Sequence, residues 1–270
     1  CFKLMKKGLF GEKGYGLSNA GEESSVQSLS IEQIKSHHGR LVKPGNQVLS
    51  IFGDIDIEQV KKELSNLWED SSESSMIELP QSPSETRVET LALSETCDKK
   101  QSVVVFGFPG TTFFDKERHA LDLLQETCSD LGSRLFMRIR DELGLAYYVG
   151  AQHMPGIVRG YFGFYAGTSP EHVEQVKEEF KIQINKIKSE GITQQELDRS
   201  KAKMLGQKQI ARQDLGHLAM ASALDELYGL GFQHPLEEDA AIRAVSLEDV
   251  QKAAEKIFDL ENSTVAVVGP

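Results

Sequence analysis

The run Ser133–Gly150, SRLFMRIRDELGLAYYVG, carries an arginine and a tyrosine, Arg140 and Tyr147, on either side of a glycine. Its periodicity predicts a helix capped by Ser133 and reaching Glu142, with Leu135, Ile139 and Glu142 near one face and Phe136 and Leu143 beside it. Gly144 sits where a left-handed C-terminal cap belongs. Arg140 then falls in the last turn, and Tyr147 lies just beyond the glycine on the next strand. Such an arrangement can bring a guanidinium and a phenol to one edge of a sheet. Both are donors suited to a peptide carbonyl or a developing oxyanion. A plainer account fits the same residues: an arginine answering the helix dipole and a tyrosine that packs.

The elements that would position this run are legible on both sides of it. Residues 87–93 and 101–108 read as two strands around a turn at Asp98–Lys100. A helix is predicted from Asp115 to about Leu131. After the helix of Ser133 come two aromatic strands, 145–153 and 158–166, with Pro155–Gly156 at the bend. Pro170 opens a helix through Ser189, and the capping box Thr193-Gln-Gln-Glu196 opens another to about Ala211. Helices over 215–228 and 246–258 and a strand over 264–268 complete the pattern. Early strands, a bank of helices and a closing strand predict an α+β fold, a mostly antiparallel sheet with helices packed on one face.

Two stretches of the chain resemble one another. SIEQIKSHHGRLVKPGNQVLSIFG (Ser30–Gly53) aligns without a gap with SLEDVQKAAEKIFDLENSTVAVVG (Ser246–Gly269). Ser, Glu, Asn and the final Gly coincide, and apolar residues match at Ile31/Leu247, Ile34/Val250, Leu41/Ile257, Leu49/Val265 and Ile51/Val267. Each copy reads as a capped amphipathic helix, a polar turn and a buried strand. The second copy closes a domain-sized unit; the first has only 29 residues before it. The expected organisation is therefore residues 1–70 as the C-terminal remnant of a first α+β unit, 71–85 as a Ser-, Glu- and Pro-rich linker, and 86–270 as a complete second domain.

Composition narrows the function classes. A net charge of −11 argues against nucleic acid, whose phosphates demand a basic face. No apolar run is long enough to span a bilayer, so no membrane partner is expected, and a soluble setting, cytoplasmic or periplasmic, fits. The three cysteines, Cys1, Cys97 and Cys128, are widely spaced and form no metal signature. His37, His38, His119, His153 and His217 lack ligand spacing and read as solvated or packed side chains. No nucleophile elbow, dinucleotide loop or phosphate loop has the required spacing.

R-D-E-L-G-L-A-Y (Arg140–Tyr147), preceded by S-R-L-F and followed by Y-V, resembles the signature of the C-terminal half of the insulinase, or pitrilysin, family of zinc metallopeptidases. SVVVFGFPG resembles the strand opening that family's second domain, and V-L-S-I-F-G-D-I-D a turn late in its first. The resemblance implies two homologous α+β domains facing each other as a clam-shell. Its first domain holds zinc through an H-x-x-E-H motif and a distant Glu. Its second supplies an Arg and a Tyr to the substrate cleft, and these fall on Arg140 and Tyr147. This chain contains no H-x-x-E-H; the nearest strings begin at His172 and His234 and lack the second His. Zinc is thus expected in the catalytic half or a partner, not here, and the chain alone is expected to be inactive. The implied partners are a polypeptide substrate and a facing homologous catalytic domain, on the same chain or in a homo- or heterodimer. The alternative is a zinc-free structural or substrate-presenting subunit of a related heteromeric complex.

Overall fold

The computed structural model of the protein describes residues 1–67 and 90–270. The expected linker at 71–85 lies outside them. Two compact units are present: Cys1–Asn19, Gln81–Leu205 (described from Thr90) and Ala241–Pro270 form one, and Ala20–Pro80 (described to Leu67) with Gly206–Ala240 forms the other.

The first unit holds helix α1 (Phe2–Phe10), strands β1 (Leu91–Thr96) and β2 (Ser102–Pro109), and a five-stranded sheet completed further along the chain. The second unit holds α2 (Glu23–Gln27), α3 (Ile31–Leu41) and α4 (Ile57–Leu67). Beyond β2 the chain runs through α5 (Arg118–Ser129), a π-helix over Phe136–Glu142, β3 (Tyr148–Met154), β4 (Tyr161–Thr168) and α6 (Val173–Glu190). It continues through α7 (Gln194–Ala211), α8 (Leu215–Leu227), α9 (His234–Ala244), α10 (Leu247–Ile257) and β5 (Thr264–Gly269).

Sheet order is β1-β5-β2-β4-β3, antiparallel except where β1 pairs β5 in parallel. The strands flanking Asp98–Lys100 are therefore not a hairpin. The closing strand β5 inserts between them, because TVAVV is apolar on both faces and belongs inside a sheet rather than at its edge. Both α7 and α10 begin at the caps read from the sequence. Thr193 and Glu196 exchange backbone bonds of 2.8 and 3.2 Å, and Ser246 accepts from the Asp249 N–H at 3.1 Å.

One face of the sheet carries the main core. Phe106, Phe108, Phe162 and Phe164 meet Phe180 of α6 and Phe258, with ring centroids such as Phe162–Phe258 at 5.0 Å. Transfer of each such ring from water contributes roughly 2–3 kcal/mol. The other face is covered by α1, which the sequence does not announce as an element of this sheet. Met5, Leu9 and Phe10 are buried against Val105, Tyr161 and Ala266. Gly107 permits this, since a Cβ there would occupy the space of the Met5 side chain. Residues 1–19, read from the sequence as part of a preceding unit, thus pack on this sheet.

In the second unit α3 keeps its capping box, with Ser30 accepting from the Gln33 N–H at 3.2 Å. The strand expected at Val48–Gly53 does not form: residues 47–52 have no regular structure. A strand's backbone groups need neighbours on a ladder, and among the described residues none pairs with this segment. Asp56 caps α4 through the N–H groups of Glu58 and Gln59, at 2.9 and 3.1 Å. Farther on, Arg212 grips Asp239 with two bonds of 2.8 and 2.7 Å.

Candidate functional site around Arg140 and Tyr147

Ser133 caps the start of the arginine-bearing helix by accepting from the Phe136 N–H at 3.1 Å. Leu135 and Ile139 then enter the core fully buried, as their spacing requires. The helix, however, widens to a π-helix over Phe136–Glu142. Single π-turns concentrate at functional sites because the extra residue re-aims side chains. Its end is closed by the Gly144 N–H on the Arg140 carbonyl at 3.1 Å and the Leu145 N–H on the Ile139 carbonyl at 2.9 Å. Gly144 has φ +64°, a left-handed conformation that glycine adopts without strain. Three residues later the Tyr147 N–H donates to the Gly167 carbonyl at 2.8 Å, at the start of edge strand β3. The backbone between Arg140 and Tyr147 is therefore fastened at both ends.

Three arginines lie on this helix, and two are committed. Arg134 makes a fork to Glu196, Nε–Oε1 2.9 Å and Nη2–Oε2 2.6 Å, and also reaches the Gly191 carbonyl at 3.1 Å. Arg138 bridges Glu142 at 2.8 Å and the buried Glu179 at 3.1 Å. The Arg140 side chain is exposed and, among the described residues, makes no hydrogen bond or ion pair; its guanidinium lies over the Phe136 ring, 4.6 Å from the centroid. Tyr147 is 58% exposed, and no hydrogen bond joins it to Arg140. Two donors with their hydrogen-bonding capacity unspent thus stand at either end of one short, pinned segment. Such groups can donate to a carbonyl oxygen from outside the chain. Neither of two shallow surface depressions, lined by residues between Asp54 and Leu64 and between Glu32 and Arg40, includes them.

The histidines are spoken for differently. His153 is buried, its Nδ1 2.7 Å from Asp122 and its Nε2 2.9 Å from the Thr111 hydroxyl. His234 pairs with Asp225 at 2.6 Å. Among the described residues no group of three His, Cys, Asp or Glu side chains could hold a metal ion. The described residues do not fit a catalytic zinc, which needs three protein ligands and an open position. Cys128 is equally unsuited to chemistry: burial pushes its thiol up to about 12.

Two carboxylates link this framework to pH. Burial alone would raise Asp122, but the His119 ring 3.7 Å away and the His153 ring nitrogen at 2.7 Å outweigh it and hold the group well below its usual range. Burial would likewise raise Glu196, and Arg134 with Thr193 brings it below the ordinary value. A carboxylate whose folded pKa lies below its unfolded one stabilises the fold above the unfolded value, near 4, and that stability is lost as pH falls through the folded one. Chemical denaturation of the full-length protein is therefore expected to show a stability plateau above about pH 5 that declines below about pH 4. Asp122→Asn should flatten part of that decline. An acid limb identical in the variant and the parent protein would remove Asp122 from the account.

Residues 28–204 match the family described as the peptidase M16 inactive domain. The chain belongs to that family. It is 25% identical to an uncharacterized zinc protease of Rickettsia bellii over all of its length and 64% of the relative's. It is also 25% identical to a protein of Helicobacter pylori named a non-peptidase homolog, over 98% of the chain and 61% of the relative. Among solved structures, the peptidase M16 inactive domain from Pseudomonas fluorescens superposes with a TM-score of 0.84 at 18% identity, covering 100% of this chain and 65% of that one. A chain of complex III2 from Candida albicans gives 0.76 at 14% identity, over 99% and 66%. The chain thus spans somewhat under two thirds of the length of these four relatives. Membership in the M16 inactive-domain family agrees with the α+β fold and with the insulinase-like signature around Gly144. No helix among the described residues is long and apolar enough to cross a membrane.

The sequence named Arg140 and Tyr147 but passed over their surroundings. Phe136 was read as core beside Leu143, although its spacing of four from Arg140 signals a possible helical pair. The widening to a π-helix leaves no sequence mark.

Proposed function

We propose that this chain is the non-catalytic, substrate-binding half of an insulinase-like zinc metallopeptidase. Zinc and the attacking water belong to the other half, on the same polypeptide or a partner, and this chain's part is to hold the peptide. Tyr147 donates a hydrogen bond to the scissile carbonyl as it gains charge, and Arg140 holds a neighbouring substrate carbonyl. The observation that carries the reading is the contrast within one helix: Arg134 and Arg138 are paired to carboxylates, whereas Arg140 keeps its side-chain donors free, and Tyr147, on the strand that follows, is exposed. Arg140→Ala in the full-length protein is expected to weaken binding of fluorescein-labelled casein, an unfolded polypeptide, by on the order of tenfold. Unchanged affinity would refute the role of Arg140.

The organisation follows from the internal repeat. In the complete copy Val250, Ile257 and Val265 are buried, and β5 lies inside the sheet. Their counterparts Ile34, Leu41 and Leu49 are 56%, 40% and 54% exposed. That difference supports the repeat Ser30–Gly53, within the expected segment 1–70, as the closing part of a first α+β unit whose sheet is supplied by other residues, whereas residues 1–19 pack on the sheet of the second. Hydrogen exchange of the full-length protein should find the amides of 48–53 protected as in a central strand; free exchange there would contradict the repeat.

A second reading has its own support: the likeness to a relative named a non-peptidase homolog and to a chain of complex III2. In that case the same two donors present a polypeptide without cleavage, and casein would be bound but never cut.

A further inference from the structure

We infer that Phe136 is the positioning residue of this site, holding the Arg140 guanidinium by its aromatic face so that the donor edge stays free for a peptide carbonyl. The inference rests on the proposed role of Arg140. An exposed arginine is ordinarily fixed by a carboxylate, but that partner would consume the N–H groups a substrate needs. A ring engages the flat face instead, leaving the in-plane donors open. Phe136 is suited to this, because it is partly buried and packs against the main core. Its contact with Arg140 is 4.6 Å, within the range of a cation–π interaction.

The acids nearby complete the argument. Asp141 adjoins Arg140 but, among the described residues, makes no ion pair with it, and Glu142 is the next acid in sequence on the same helix end. It is engaged by Arg138 at 2.8 Å, and the same guanidinium reaches Glu179 at 3.1 Å. Glu179 in turn accepts from the Gln183 amide at 2.7 Å. Arg138 thus occupies Glu142, and Arg140 is left to the ring.

Binding of fluorescein-labelled casein to the full-length protein tests this through a double-substitution cycle. Phe136→Leu should weaken binding about fivefold, as loss of a contact of this class predicts, and Phe136→Tyr should restore affinity. In the Arg140→Ala background, Phe136→Leu should cause no further loss. If Phe136→Leu misfolds by its thermal melt, Phe136→Met, of similar volume, replaces it in the cycle. Equal affinities of Phe136→Leu and the parent protein, with Arg140→Ala weakened, would overturn the inference while leaving the Arg140 reading intact. So would an undiminished effect of Phe136→Leu in the Arg140→Ala background, which would mark a purely structural role. An Arg140→Ala protein that binds like its parent, or a parent that does not bind casein, would defeat the underlying reading and this inference with it.

Discussion

Tyr147→Phe in the full-length protein is expected to lower peptide turnover by on the order of a hundredfold while leaving the unfolding midpoint unchanged. The first figure is the usual loss when one preorganised donor to a developing oxyanion is removed, about 3 kcal/mol of transition-state stabilisation. The second follows from the surroundings of the phenol. Tyr147 is 58% exposed and its hydroxyl has no hydrogen-bond partner among the described residues, so deleting the oxygen breaks nothing in the fold. What fixes this residue is its backbone bond to Gly167, which phenylalanine retains. A steady-state assay on an unfolded polypeptide separates the cases: a fall in kcat and kcat/KM together marks a transition-state donor, whereas a rise in KM alone marks ground-state binding. Parental turnover in the variant would remove Tyr147 from the reaction.

Arg134→Met should destabilise the full-length protein by about 2–3 kcal/mol in urea unfolding. Three donor bonds disappear at once, two to Glu196 and one to the Gly191 carbonyl. Glu196 is mostly buried, and its carboxylate keeps only its bonds from Thr193 at the start of α7. Removing one partner of such a pair costs more than the pair contributes, because the remaining charge is left poorly solvated. Arg134→Met/Glu196→Leu should recover part of the loss, since both polar partners are then gone. A single variant within about 0.5 kcal/mol of the parent protein would show the fork to be worth no more than a surface pair.

Much of the sheet-bearing unit was readable because its signals are local. The capping boxes at Thr193 and Ser246 start their helices where the residues say, and the left-handed glycine at 144 ends the arginine-bearing helix. Readings that depended on distant partners fared less well. The strands around Asp98–Lys100 look like a hairpin in sequence, yet β5, from the far end of the chain, separates them. Val48–Gly53 has the composition of a buried strand and stays irregular, since burial and pairing are supplied by neighbours and not by the strand itself. Helix α1 was invisible as a sheet cover because nothing in FKLMKKGLF names the surface it meets; the complementary mark is the missing side chain at Gly107. At the candidate site the same division holds. Residue types singled out Arg140 and Tyr147, while the freedom of Arg140 emerges only when the partners of Arg134 and Arg138 are seen.

The most direct measurement is a structure of the full-length protein with an uncleavable peptide analogue bound. The account predicts the Tyr147 hydroxyl and an Arg140 guanidinium nitrogen each at hydrogen-bond distance, roughly 2.7–3.1 Å, from carbonyl oxygens at or beside the scissile position. A peptide held in productive register with both side chains turned away from its backbone would contradict it.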